Sequence, residues 1–190
     1  YKRQHYNAAL GTGALCCNTT GHCNAAVGRQ ALRFNKTGIR NAALGSEALY
    51  CSDSGSYNVG VGRGAGYNVT SACYNTLLGY NAGNNLTTGN SNVAIGGYAL
   101  QAATDCIGTV AVGYEAQCAT TSGLYNVAVG HQAGRKGTTA HSGTSIGFAA
   151  NCANIAGIAN TAIGFTALRN TLSGYNTAVG YQALVSNTCG

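Results

Sequence analysis

Three observations predict an all-β, fibrous fold for this chain, a parallel β-solenoid (β-roll) of about eleven 17-residue coils. First, Gly11, Gly28, Gly45, Gly62, Gly79, Gly96, Gly113, Gly130, Gly147 and Gly164 stand 17 residues apart, and Gly180 follows at 16. A fixed period of this kind marks a unit that cannot bury its apolar surface alone and must stack on its neighbours. Second, each copy carries one short segment alternating small and β-branched residues, bounded by Asn and Gly turn signals and too brief for a helix. Third, the 190 residues include no Pro, Met or Trp and three Phe. A globular core of large side chains is therefore not available, whereas a narrow coil filled by Ala, Val, Ile and Leu is.

Aligned on the repeat glycine, the copies read column by column. Asn usually stands four before it, as in Asn24, Asn41, Asn58, Asn75 and Asn92, and the residue just before it is always Leu, Val or Ile. Ala follows three residues after it in all eleven copies, from Ala14 to Ala183. Period 2 puts the aliphatic residue and this alanine on one face of a strand, with a small residue such as Ala94 or Ala128 and the glycine on the other. Neither column carries charge, so the strand is expected to be buried on both sides and stacked in parallel. The glycine omits a side chain where another backbone must approach.

A second glycine ten residues on, as at Gly21, Gly38, Gly55 and Gly89, closes a polar turn such as Thr87-Thr88-Gly89-Asn90. With one coil per copy, like positions stack into Asn and Thr ladders, and eleven coils at ~4.8 Å make a rod of roughly 50 Å. Both ends expose unpaired strand edges. Residues 1–190 thus form a single repeat array, read as a segment or subunit of a longer fibre. Its thin core argues that lateral association supplies part of the stability.

The blocks NVAIGGYAL (Asn92 to Leu100), NVAVGHQAG (Asn126 to Gly134), NTAIGFTAL (Asn160 to Leu168) and NTAVGYQAL (Asn176 to Leu184) resemble the head repeats of trimeric autotransporter adhesins. They are closer still to NTAVGYQAL repeats of phage tail-fibre-like proteins, and the resemblance covers essentially the whole chain. It implies a left-handed parallel β-roll with three chains side by side, projecting from a surface and binding host or matrix components. It carries over no catalytic residue.

All nine cysteines fall in the turn half of the repeat. Disulfide geometry needs Cα atoms within about 7 Å, which restricts partners to the same or adjacent coils. That criterion allows Cys51 with Cys73, Cys106 with Cys118, and Cys23 with Cys16 or Cys17. Cys152, Cys189 and the remaining one of the first pair, taken as Cys16, are candidates for bonds between subunits. No cysteine pair has CxxC spacing, so no metal site is predicted. His5, His22 and His141 share a column and read as turn residues, with His131 elsewhere. Sequons at Asn18, Asn35, Asn68 and Asn85, with Asn187 in a weaker Cys-containing variant, are candidate N-glycosylation sites. Asn-Thr-rich turns also generate such triplets without sugar.

The formal charge is +6, with basic residues gathered early in Lys2, Arg3, Arg29, Arg33, Lys36, Arg40 and Arg63. They read as a solvated end; an anionic polysaccharide or lipid headgroups are the alternative, and no aromatic pattern supports nucleic acid. Recurrent tyrosines, such as Tyr80, Tyr114 and Tyr181, form ladders for lateral packing or sugar contact. No stretch is apolar enough to span a membrane, and no cofactor is implied. The predicted partner is the chain itself, in a homo-oligomer or filament, with a surface glycan or receptor as a further partner.

The function read from these features is a non-enzymatic, extracellular, structural or adhesive fibre at a cell or virion surface. A homotrimeric tail fibre or adhesin head binding a receptor is one alternative. The other is an ice-binding solenoid displaying a Thr column (Thr19, Thr70, Thr87, Thr104, Thr121, Thr138, Thr188). The carboxylates Glu47, Asp53, Asp105 and Glu115 never occupy like positions in adjacent coils, which argues against a catalytic groove.

Overall fold

The computed structural model describes residues 6–155 and 157–186. Each copy of the repeat contributes one three-residue strand: β1 (Ala8–Leu10), β2 (Ala25–Val27), β3 (Ala42–Leu44), β4 (Val59–Val61), β5 (Thr76–Leu78) and β6 (Val93–Ile95). The series continues through β7 (Val110–Val112), β8 (Val127–Val129), β9 (Thr144–Ile146) and β10 (Thr161–Ile163) to β11 (Thr177–Val179). All eleven pair in parallel and in sequence order within one sheet. Register is fixed by the repeat itself: Val93 faces Val110, Ala94 faces Ala111 and Ile95 faces Val112, and so on along the array.

The repeat glycine ends each strand and sets the stacking distance. Gly62 lies at φ +127°, and a Cβ on it would stand 2.6 Å from the carbonyl oxygen of Gly79 in the next coil. No L side chain fits there, which is why the column admits no exception. Beyond the glycine the chain makes a tight turn in which non-glycine residues also take positive φ, among them Gln30 and Leu32, Glu47 and Leu49, and Tyr98 and Leu100. Such conformations cost of order 1 kcal/mol each. They are compensated by backbone hydrogen bonds to the neighbouring coil, such as Leu32 N–H to Ala48 O at 3.0 Å and Leu49 N–H to Ala65 O at 2.9 Å.

This turn corrects the expected facing of the strand. The alternation stops at the glycine, so the aliphatic residue before it and the alanine three after it lie on opposite sides. Ala31, Ala48 and Ala99 are fully buried, while Ile95, Val129, Ile146 and Ile163 are between 37% and 39% exposed. The strand is buried on one face only, through its middle residue, as at Ala94, Ala111 and Ala128.

The interior is therefore built from three inward columns: the strand centre, the alanine, and leucines such as Leu32, Leu49, Leu100 and Leu168. Volume is conserved by exchange between them. Where Gly66 and Gly83 replace the turn leucine, Leu77 replaces the small strand-centre residue and fills the space. A Cβ on either glycine would lie 2.7 Å from a Leu77 methyl.

Along one corner runs the Asn ladder. The Asn75 side-chain oxygen accepts from the Asn92 backbone N–H at 2.9 Å and from its amide at 3.1 Å, while the Asn75 amide donates to the Gly89 carbonyl at 2.9 Å. Thr109 and Gly143 interrupt the ladder. Near the second break Gln117, Asn126, Ser145 and Asn151 line a void of about 10 Å³, the room a single water needs. The side-chain oxygens of Gln117 and Asn151 are buried there without a protein partner. This polar patch separates the main apolar core from a second, smaller one around Ala150, Ala162, Leu168 and Ala178.

Candidate interaction surfaces

Because the first and third residues of every strand point outward, the sheet presents a flat stripe of Val, Ile, Leu and Thr along the array. Leu10, Leu44 and Val179 are more than half exposed, at 69%, 52% and 67%. Monomeric soluble proteins seldom leave a continuous apolar surface of this length uncovered.

Beside it runs an aromatic ladder formed by the residue after the glycine or its neighbour. Tyr80, Tyr98, Tyr114, His131, Phe148, Phe165 and Tyr181 follow one another with ring centroids 5.1–5.8 Å apart. From Tyr114 onward the rings are stacked within 22° of parallel. Their faces are covered by each other and only their rims remain free. This geometry suits lateral packing better than the stacking of a sugar ring on an aromatic face.

The Thr column is a third stripe, and its hydroxyls are already engaged. Thr87, Thr104 and Thr121 each donate to a backbone carbonyl of the next coil, at 3.1, 3.1 and 3.2 Å. The Thr104 carbonyl collects the Thr87 hydroxyl and the N–H groups of Thr87, Thr88 and Gly89. The column therefore clamps the turn. Sequence reading missed this role, because a bare recurrence of Thr does not show where its hydroxyl points. Thr188 lies outside the described residues.

All eight described cysteines are free thiols: Cys16, Cys17, Cys23, Cys51, Cys73, Cys106, Cys118 and Cys152. None of the expected pairs, Cys51 with Cys73, Cys106 with Cys118, or Cys23 with Cys16 or Cys17, is bonded here. Cys16 and Cys17 instead bring their sulfurs to 3.5 Å of each other. Cys106 sits inside the coil, where burial pushes its thiol up to about 12 from 9.0. Cys152 is also buried, so of the intersubunit candidates only Cys16 is exposed, and Cys189 lies outside the described residues.

Two expectations follow. Cys16 reacts with iodoacetamide in the folded protein while Cys106 is protected until denaturation, which mass spectrometry of the labelled peptides checks. The Cys106 thiol ionises near 9 when unfolded and about 12 when folded. Its contribution to stability is thus complete below pH 9 and lost as pH rises toward 12.

The sequons divide by one residue of register. Asn18 and Asn35 belong to the column seven after the glycine, which faces inward; Asn68 and Asn85 belong to the column six after it, which faces out. Asn35 is fully buried, with its amide on the Gly38 carbonyl at 3.1 Å and the Asn18 side-chain oxygen at 2.7 Å. This burial argues against sugar at Asn35. The half-buried Asn18 is tied to Gly21 at 2.9 Å, Asn85 is exposed, and Asn187 lies outside the described residues. Secretion from a glycosylating host should place sugar on Asn85 or Asn68 and leave the Asn35 peptide bare, as read by glycopeptide mass spectrometry.

The early basic residues are mostly engaged by the next coil. Arg29 pairs with Glu47, Lys36 with Asp53 at 3.4 Å, Arg40 with the Tyr57 hydroxyl, and Arg63 with the Tyr80 hydroxyl at 3.1 Å. Lys2 and Arg3 lie outside the described residues. Glu115 pairs with Arg135 at 3.0 Å, and Asp105 accepts from Thr104 at 3.2 Å. His141 accepts the Leu124 N–H at 3.1 Å, His131 is a rung of the aromatic ladder, and His5 lies outside the described residues. Among the described residues no three His, Cys, Asp or Glu side chains gather as a metal site.

Fold and surfaces together define the class, a parallel β-solenoid repeat protein. No helix among the described residues is long and apolar enough to cross a membrane. No family model, curated protein or solved structure matches the chain.

Proposed function

We propose that this chain is a structural or adhesive element of an extracellular fibre, without enzymatic activity, which associates with further copies of itself through the outer face of its sheet. The observation that carries the reading is the unbroken stripe of half-exposed Val, Ile and Leu flanked by the aromatic ladder. Removing such a stripe from water is favourable at about 25 cal/mol per Å² of apolar surface. A copy of the same chain carries the same ~4.8 Å repeat and can match it rung for rung. Exposed Cys16, with half-buried Cys17 beside it, would reinforce contacts in an oxidising setting.

A homotrimeric tail fibre or adhesin head uses the same lateral face and is the second reading, favoured by the continuity of that face over eleven strands. The ice-binding reading is weakened by the Thr hydroxyls, which are committed to the next coil. Four carboxylates at scattered heights, each already bonded to a neighbour, speak for a non-catalytic surface.

Gel filtration with light scattering, with and without reductant, tests the proposal, together with electron microscopy of the same sample. Filaments, or a discrete species near three times 19.1 kDa, are expected. Filaments that shorten under reductant assign the ends to disulfides. A stable monomer contradicts both assembly readings.

A further inference from the structure

Between the aromatic ladder and the turns of the coils headed by Gly130, Gly147, Gly164 and Gly180 lies a groove of about 380 Å³. Lys136 and Arg169 flank it, and Arg135 adds a third cation, partly neutralised by Glu115. Glu115 is the last acidic residue of the sequence. Lys136 and Arg169 have no acidic partner among the described residues, unlike Arg29 and Lys36 at the other end of the array.

Thr166 supplies an independent observation. Its side chain is only 4% exposed, lines the groove, and holds a hydroxyl oxygen with no hydrogen-bond partner. Its φ of +50° is the conformation this column also takes at Gln132, Ala149 and Gln182. An unpaired buried hydroxyl beside two unpaired cations is a donor set that lacks its acceptor.

We propose that this groove binds an acidic sugar unit, a single ring carrying a carboxylate or sulfate ester. The guanidinium of Arg169 matches the planar oxygens of such a group, with Lys136 adding charge and Thr166 a neutral donor. Gln182 on the same walls offers its amide to ring hydroxyls, while the Gln132 amide donates to Glu115 at 2.9 Å. The stacked Phe148 and Phe165 turn their positively polarised rims, rather than their faces, to the surface. That arrangement tolerates an anion and offers no platform for a nucleobase. The volume lies at the small end of ligand clefts and suits one ring with its substituents. The residues of the site all come from one chain, so its test is a binding measurement and does not read the oligomeric state.

Isothermal titration of the full chain with a sulfated uronic-acid disaccharide tests it, alongside a neutral disaccharide, inorganic sulfate and a single-stranded DNA oligonucleotide as probes. One saturable site per chain is expected, weakened by salt, with no binding of the neutral sugar. Lys136→Gln with Arg169→Gln should weaken binding at least about tenfold. Thr166→Ala should weaken it about threefold while preserving the fold, since Ala149 already occupies the same column at φ +49°. Arg40→Gln, several coils away, should leave binding unchanged, and circular dichroism confirms folding of each variant. Absence of saturable binding, or undiminished binding by the Lys136/Arg169 variant, would overturn the site. Sulfate or DNA binding as tightly as the disaccharide would overturn the assignment to a sugar.

Discussion

Gly62→Ala is expected to cost at least about 4 kcal/mol or to split the array at that coil, among the largest effects a single methyl can have. The new Cβ would lie 2.6 Å from the Gly79 carbonyl oxygen, a backbone atom already fixed in the stack, on a residue at φ +127°. Neither chain can yield without breaking the parallel register that joins β4 to β5. Gly180→Ala is the matched control. It shares the conformation, at φ +130°, but nothing lies within 4 Å of its added methyl. It should cost only the backbone strain, ~1–3 kcal/mol, and that loss should stay within the terminal coil. Urea unfolding followed by circular dichroism distinguishes the two. Equal losses would show that conformation, and not the approach of the next coil, reserves this column for glycine.

Leu77→Ala should destabilise by about 2–5 kcal/mol, because it opens a cavity in an interior only a few side chains wide. Leu77 is fully buried and packs where Gly66 and Gly83 leave the turn empty. Adding Gly83→Leu should restore a substantial part of the loss, since the coil then carries the Ala94 and Leu100 arrangement of its successor. Gly83→Leu alone should be destabilising, because Leu77 methyls already occupy its space at 2.7 Å. A double-mutant cycle in urea would measure the coupling. Additive effects would contradict the exchange of volume between the two columns.

The stacking of one coil per 17 residues, the parallel order and the close backbone approach at the glycines were all legible in the repeat. Each of these follows from a column that recurs without exception. The facing of the aliphatic column was not legible, because period 2 holds only while the backbone stays extended. At Gly96, φ +127° ends the extended run after three residues. Ile95 is thereby left outside while Ala99 turns in.

The sequons show the same sensitivity. Asn35 and Asn68 differ by one place in the repeat, which puts the first inside and the second at the surface. The acidic-sugar groove was invisible for a different reason. Its cations and Thr166 come from two coils, those of Gly130 and Gly164, with a third between them, and meet only once the coils are stacked. A signal was present, however, in the absence of any acidic residue after Glu115.

Assembly through the outer sheet face is the central claim, and the mass of the particle in solution tests it most directly. Light scattering should be run on the native chain and on a variant with Ile95→Lys and Ile146→Lys. Both side chains point outward, at 39% and 38% exposure, so the fold should survive the change. The account predicts a multiple of 19.1 kDa or a filament for the native chain and a folded 19.1 kDa monomer for the variant. A native chain that is itself a folded monomer, or a variant that assembles as before, would contradict it.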